Sequence, residues 1–442
     1  MTRETRRFLV GLGAIAAVGL VIRVAFLFIM HHPYYPVGDA LLYHSGANSL
    51  VDGKGFVLAF FLENGQQAQG ASNPPLYVLW LAIPSMLGFR SPLVHQLWSC
   101  VLGLGTVALL GVLGRQLAGY RAGLIAAALA AIGPNVFYWD TVILSETMSL
   151  FVATLVVLLC YRYWRAPDTR GLLLVGLSCG AAALSRAELV LLVPFVLVPL
   201  ALGSCTIDFA ARLRRLVVAG LMAALVVAPW ITYNVTRFDK PVFLSNGLGV
   251  TLAATQCDDA YYGEFTGLWS IRCGLRVQRT FPKGYDESER DAGYREAALD
   301  YLGDHLGRAP VVVLSRWGRS LGLYRPIHSV EFDHFPEGRD WPIAIGGLIS
   351  FWVLGALSVY GAVLLRRRKV PVYPLVALPA IAMIAIGIAF SSSRYRSTAE
   401  PALAILAAVA IDAFIRRRRG ESDPDPADLD DRNETAAGAA TS

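Results

Sequence analysis

Apolar runs near the length of a membrane span recur along this chain, separated mostly by short charged turns. They fall near residues 8–30, 94–114, 121–138, 147–164, 170–185, 187–203, 215–232, 342–364, 371–390 and 398–415. A helix of about 20 apolar residues crosses roughly 30 Å of hydrocarbon, so each run predicts a transmembrane helix. The first, "FLVGLGAIAAVGLVIRVAFLFIM", is too long for the core of a secretory signal and has no small-residue cleavage site, which predicts a retained span. Arg23 lies inside it. A charge at that depth requires a partner, or must snorkel to the interface.

A shorter run, "PPLYVLWLAIPSMLG" at 74–88, is ambiguous by length alone. Lysine and arginine favour the cytoplasmic side of a membrane. If 74–88 is not a span, "TRETRR", Arg115, Arg121, Arg162, Arg165, Arg170, Arg212, Arg214, Arg215, "RRRK" and "RRRR" all share that side. If it is a span, every later cluster flips outward. The expected fold is therefore an all-α polytopic membrane protein with about ten transmembrane helices and both termini cytoplasmic. Segment 74–88 becomes an interface helix in the first outer loop, with proline in its first turn.

The predicted organisation is a cytoplasmic N-terminus with the first span (1–30), a first outer loop (31–93), a membrane bundle (94–232), a small outer domain between spans seven and eight (233–341), the last three spans (342–415) and a cytoplasmic tail (416–442). In the outer domain "DAGYREAALDYLGDHL" reads as a helix and "PVFLS" as strand-like, with Asn246 and Gly247 turning after it. The tail is polar, acidic and rich in proline and alanine, which predicts disorder. No internal repeat is apparent.

Composition agrees with a membrane protein. The 442 residues are 55% hydrophobic and 16% charged, against about a quarter charged in soluble proteins. The net charge of +6 then reports topology and gives no reason to expect nucleic acid. Of the six cysteines, Cys100, Cys160 and Cys179 fall in spans and Cys205 in a cytoplasmic loop, where they read as small apolar residues. Cys257 and Cys273 lie in the outer domain, where the oxidising compartment predicts a disulfide.

The polar residues that look out of place gather at the outer ends of the spans. Asp39, Tyr43 and His44 follow the first span. Asp140 and Glu146 separate the third and fourth, and Arg186 and Glu188 the fifth and sixth. "SSSRYRSTAEP" precedes the last. One shared site at the outer membrane surface would explain all four turns; alternatively, each turn supplies its own interfacial polar residues. Arg394 and Arg396 suit a phosphate, because a guanidinium offers paired donors and a helix start favours anions. Asp39 suits a general base, or a cap on the helical run "ALLYHSGANSLV". Arg186 and Glu188 suit either a pocket or an anchor for their turn.

Several motifs, in this order, carry a family resemblance: a first span with an embedded arginine, "GDALLYHSGANSLVDGKGF", "NPPLYVLWLAIPSMLG", "APWITYNVTRFDKPVFLSNGLGVTL" and "SRYRSTAEPALAILAA". The chain resembles the C-type glycosyltransferase superfamily. Within it, the bacterial branch near the dolichyl-phosphate-mannose–protein mannosyltransferases and the lipid A aminoarabinose transferases is most similar. The resemblance implies inverting transfer of a sugar from a polyprenyl-phosphate donor to a hydroxyl of a glycan, lipid or protein, on the outer face of a bacterial cytoplasmic membrane. It places the catalytic carboxylate at Asp39 and a second acid at Glu146, with Asp140 as fallback. It places donor-phosphate contacts at Arg394, Tyr395 and Arg396. Tyr43, His44, Arg186 and Arg23 are further pocket candidates. Relatives often have Asp-Glu where this chain has Asp39-Ala40, so no paired metal ligand is supported and no cofactor is expected. The competing reading is a transporter or flippase, which would place ionisable groups near the midplane and often repeat its halves. A non-catalytic scaffold is a second rival.

Overall fold

The computed structural model describes residues 2–61, 67–203, 208–335 and 337–421. Cys205 and the tail from residue 422 lie outside these. The chain opens with α1 (Arg3–Met30), capped by the Thr2 side chain. Next come α2 (Asp39–Val51), the antiparallel pair β1 (Val57–Phe61) and β2 (Gln67–Gln69), and α3 (Leu76–Met86). The two-stranded pair was not legible as such, since the sequence reading expected helices alone. Helix α3 starts directly after Pro74 and Pro75, which fits proline's tolerance at helix starts.

The bundle continues with α4 (Pro92–Ala118), α5 (Tyr120–Ile132), α6 (Pro134–Asp140), α7 (Glu146–Arg165) and α8 (Thr169–Ser185). Helices α5 and α6 meet at 58°. Pro134 cannot donate the amide that would continue α5, so the predicted third span is broken at Gly133–Pro134. The predicted sixth span is also irregular. It runs through a 3-10 turn (Ala187–Leu191), a π turn (Val193–Leu197) and the short α9 (Val198–Leu202). Pro194 and Pro199 remove two amide donors from that stretch.

After α10 (Phe209–Val235) come six helices: α11 (Gly247–Thr255), α12 (Asp258–Tyr261), α13 (Ile271–Gln278), α14 (Glu287–Asp304), α15 (Ala309–Ser320) and α16 (Pro326–His334). The strand-like "PVFLS" forms no strand. The chain returns through α17 (Trp341–Arg367), α18 (Tyr373–Ile388), the four-residue α19 (Ser393–Arg396) and α20 (Glu400–Arg419).

Among the described residues six stretches are long and apolar enough to cross a membrane: α1, α4, α7, α10, α17 and 393–419. The bent α5–α6 pair makes a seventh if it is one span. The other predicted spans coincide with three shorter apolar helical stretches, α8, residues 187–202 and α18. Leu110, Ala127, Val157 and Ile405 are fully buried between α4, α5, α7 and α20. Val10, Val21, Leu221 and Leu225 on α1 and α10 face outward. Exposed apolar faces on peripheral helices are what lipid contact requires.

Side-chain contacts sort the turns to two ends of the bundle. Arg115 bonds the Thr5 hydroxyl, Arg165 the Gln116 carbonyl, and Arg121 pairs with Asp412 and Glu421. The N-terminus, the α4–α5 turn, the end of α7 and the end of α20 therefore meet at one end. The turns bearing Asp39, Glu146, Arg186 and Arg394 meet at the other.

Arg23 is fully buried and does not snorkel. Its Nε donates to Asp140 at 2.8 Å, and its Nη1 donates to the Gly19 carbonyl at 3.1 Å and the Ala131 carbonyl at 3.0 Å. The Thr147 hydroxyl donates to the other Asp140 oxygen. Gly103 makes room for this pair, since a Cβ there would lie 2.0 Å from the Asp140 carboxylate. The pair ties α1, α4, α6 and α7 together.

Candidate active site

The site is built outward from the start of α2. Gly38 adopts φ +54°, a left-handed conformation that glycine enters at little cost, and α2 begins at the next residue. Asp39 thus occupies the first turn rather than the cap, and makes no capping bond. Its carboxylate instead meets Arg394 Nη1 at 2.7 Å.

Arg394 stands on α19, held where the Ser392 hydroxyl accepts its amide. Its Nε donates to Glu146 at the first residue of α7. Glu146 is fully buried, and the helix start favours its negative charge. The same Glu146 oxygen accepts from Arg186, which also donates to Glu188. Five side chains from four turns therefore form one chain of alternating charge: Asp39, Arg394, Glu146, Arg186, Glu188. Three carboxylates against two guanidiniums leave it one negative charge in excess. The guanidinium of Arg186 lies 5.1 Å over the ring of Tyr395, a cation–π contact. The second Glu146 oxygen is buried without a hydrogen-bond partner among the described residues.

All of these groups but Glu146, which lies buried behind them, line a cavity of about 530 Å³. Asp39, Tyr43, Arg186, Glu188, Arg394 and Tyr395 form its polar part. Val190, Leu191, Leu248, Val250, Ile384 and Ile388 form its apolar part, between the 187–191 turn, α11 and the end of α18. The Tyr43 hydroxyl bonds Ser145; burial, then the charges of Asp39 and Glu146, hold it protonated well above the usual phenol range.

Other predicted residues sit elsewhere. Arg396 is turned away from Arg394, with its Nη1 on the Ser320 carbonyl at 2.6 Å and its guanidinium 4.0 Å over the Phe351 ring. Residues two apart on a helix point to opposite sides, so the Arg-Tyr-Arg spacing separates its arginines. Arg186 is the second guanidinium in the cavity. Asp140 and Arg23 form the internal pair described above, outside the cavity. His44 packs on His95, with Nδ1 atoms 3.1 Å apart, and its Nε2 accepts from Asn48. Cys257 and Cys273 are joined as a disulfide.

Two acids escaped the sequence reading. Glu337, partly buried in the loop before α17, accepts from the Trp269 indole at 3.4 Å. Burial pushes its carboxyl up to about 7; Arg394 pulls it down, while Asp333 and Asp39 push it up. The signal was its place in "FPEGRDWP", at the same end of a span as the other acids. Glu287, at the first residue of α14, gathers the Ala71 amide, the Ser72 hydroxyl and the Asn246 amide group. It thereby fixes two walls of the cavity, at Ser72 and Gly247. Among the described residues, three carboxylates close enough to share a cation are Asp239, Asp286 and Glu289. They are not in the cavity, and Asp286 and Glu289 already form the capping box of α14.

Residues 72–233 match the family described as dolichyl-phosphate-mannose-protein mannosyltransferase. The oligosaccharyltransferase AglB of Archaeoglobus fulgidus, solved with an inhibitory peptide and a dolichol-phosphate, superposes with a TM-score of 0.57 at 14% identity, over 95% of this chain and 52% of its own. The chain therefore shares its fold with this archaeal oligosaccharyltransferase along nearly all of its own length. An Archaeoglobus fulgidus oligosaccharyltransferase in complex with Zn and sulfate gives a TM-score of 0.55 at 16% identity, over 92% of this chain and 49% of its own. ArnT of Cupriavidus metallidurans, bound to undecaprenyl phosphate, gives 0.44 at 15% identity, over 91% of this chain and 77% of its own. The chain thus spans about half the length of the oligosaccharyltransferase it matches. No curated protein sequence matches it.

Proposed function

We propose that this chain is a C-type glycosyltransferase that moves a sugar from a polyprenyl-phosphate donor to an acceptor hydroxyl, at the outer face of a bacterial cytoplasmic membrane. The observation that carries the reading is the cavity, whose polar part is lined by Asp39, Arg394 and Arg186, the two arginines held from behind by buried Glu146, and whose apolar part reaches the end of α18. A phosphate with a long apolar tail matches both parts. The archaeal relative solved with dolichol-phosphate supports the same class of ligand. The arginine clusters at the opposite end of the bundle support the outer placement.

In this reading Arg394 and Arg186 receive the donor phosphate. Arg394 is shared with Asp39 before the donor arrives. A phosphate that draws the guanidinium toward itself weakens that pairing and frees the Asp39 carboxylate to face the acceptor. Asp39 then takes the proton of the acceptor hydroxyl, whose oxygen attacks the anomeric carbon from the face opposite the phosphate. The bond from that carbon to the phosphate oxygen breaks, and the lipid phosphate leaves with the electron pair. Inversion follows from this single displacement. The phosphate is a good leaving group, so no strong general acid is required.

Asp39→Asn tests the base. With purified protein and a polyprenyl-phosphate sugar, transfer is expected to fall by about 100-fold or more while donor binding persists. Full transfer by this variant would sink the assignment. Uptake of solute by proteoliposomes without any sugar donor would favour a transporter instead.

A further inference from the structure

Helix α13 is amphipathic in an unusual place. Cys273 and Gly274 face inward, and the disulfide to Cys257 pins the helix to the start of α12. Ile271 and Leu275, one turn apart, are exposed apolar residues. Arg272 and Arg276, also one turn apart, stand beside them, with Arg279 following.

The apolar side of α13 borders a groove of about 310 Å³, lined by Ala254, Trp269, Leu275 and Phe390. The groove adjoins the catalytic cavity, because Val250 and Thr251 line both. Its neighbour Ile388 is exposed at the end of α18. The groove therefore opens where an apolar helix ends, which in the membrane orientation proposed above is the edge of the hydrocarbon layer. On the other side of Leu275 lies a cleft of about 390 Å³, lined by Arg272, Arg276, Arg279 and a single acid, Asp259. Asp259 reaches Arg272 at 3.5 Å and Arg276 at 3.4 Å. Arg279 has no acidic partner among the described residues.

We propose that α13 binds an anionic phospholipid, with an acyl chain in the apolar groove and the phosphate on Arg272, Arg276 and Arg279. An apolar slot edged by arginines at a membrane boundary matches the chemistry of one lipid molecule, tail and head. Two arginine–aspartate contacts leave the cleft with net positive charge to meet the phosphate. The site is separate from the Asp39–Arg394 chain and does not depend on transfer activity.

The test uses the purified full-length protein in neutral detergent, titrated with phosphatidylglycerol or phosphatidylcholine and read by native mass spectrometry. Replacing Arg272, Arg276 and Arg279 together by glutamine is expected to weaken phosphatidylglycerol binding by about tenfold and leave phosphatidylcholine binding unchanged. Asp259→Asn frees two arginines and is expected to strengthen phosphatidylglycerol binding. Equal phosphatidylglycerol binding by the wild type and the triple variant would overturn the site. Inorganic phosphate that abolishes the lipid preference would assign the arginines to a free anion instead. Binding of an acidic peptide at the same arginines, with no preference between the two lipids, would assign them to a protein partner.

Discussion

Arg394 Nη1 lies 2.7 Å from the carboxylate of Asp39, joining the helix after the first span to the turn before the last. The same guanidinium holds Glu146 through Nε. A lysine has one ammonium and cannot span both carboxylates with fixed geometry. Arg394→Lys is expected to lower kcat by about 100-fold. Arg396→Lys is expected to leave kcat unchanged and lower the melting temperature, since Arg396 bonds the Ser320 carbonyl and packs on Phe351. Steady-state kinetics and thermal unfolding of both variants separate the two roles.

The Arg23–Asp140 pair gives a stability prediction. Asp140→Leu alone leaves a buried guanidinium unpaired and is expected to cost about 3–5 kcal/mol. Arg23→Met with Asp140→Leu removes both charges and is expected to recover most of that loss. Gly103→Ala should resemble the single variant, because its Cβ would meet the Asp140 carboxylate at 2.0 Å. Unfolding in detergent reads all three, and a double variant no more stable than the single one would count against the pair.

Glu337 carries a pH dependence. Its carboxyl is pushed up to about 7 in the folded protein, above the roughly 4.3 of an unfolded chain. Between those values the folded form holds a proton that the unfolded form has lost. Its contribution to stability is therefore complete below about pH 4 and is lost as pH rises through about 7. Glu337→Gln should flatten that part of the profile of melting temperature against pH. An unchanged slope would exclude Glu337 as the source.

Glu287 should act on binding more than on chemistry. It fastens Ser72 and Asn246, beside the cavity walls, and touches no member of the charge chain. Glu287→Gln turns an acceptor into a donor against the Ala71 amide or the Ser72 hydroxyl. The expected result is KM raised by about tenfold with kcat nearly kept, the signature of lost ground-state binding.

Apolar segments and basic clusters made much of the fold legible. Hydrocarbon length and charge asymmetry are properties of short stretches, so the helices of the bundle and the common end of four polar turns could be read in one pass. What was hidden depends on contacts between distant stretches or on local backbone irregularity. Pro134 breaks a run that hydropathy reads as continuous. Arg394 and Arg396 look equivalent in sequence until a helical turn sends them to opposite sides. Glu287 lies 215 residues from Ser72, and nothing near either residue announces the contact. Glu337 sits in a loop without periodicity, where only its neighbours in space give it significance. Asp39 was the exception, conspicuous because it stands alone after an apolar run.

The ion pair in the bundle also joins two stretches that are synthesised far apart in time. Arg23 leaves the ribosome 117 residues ahead of Asp140. Until α6 arrives, the first helix carries a guanidinium that lipid alone does not satisfy. Its counter-ion arrives with the third span, at the end of α6 beyond the Gly133–Pro134 bend. The earliest helix of the bundle thus has its charge fully met only by a helix made later, so the first span is complete as a structural element only with the third.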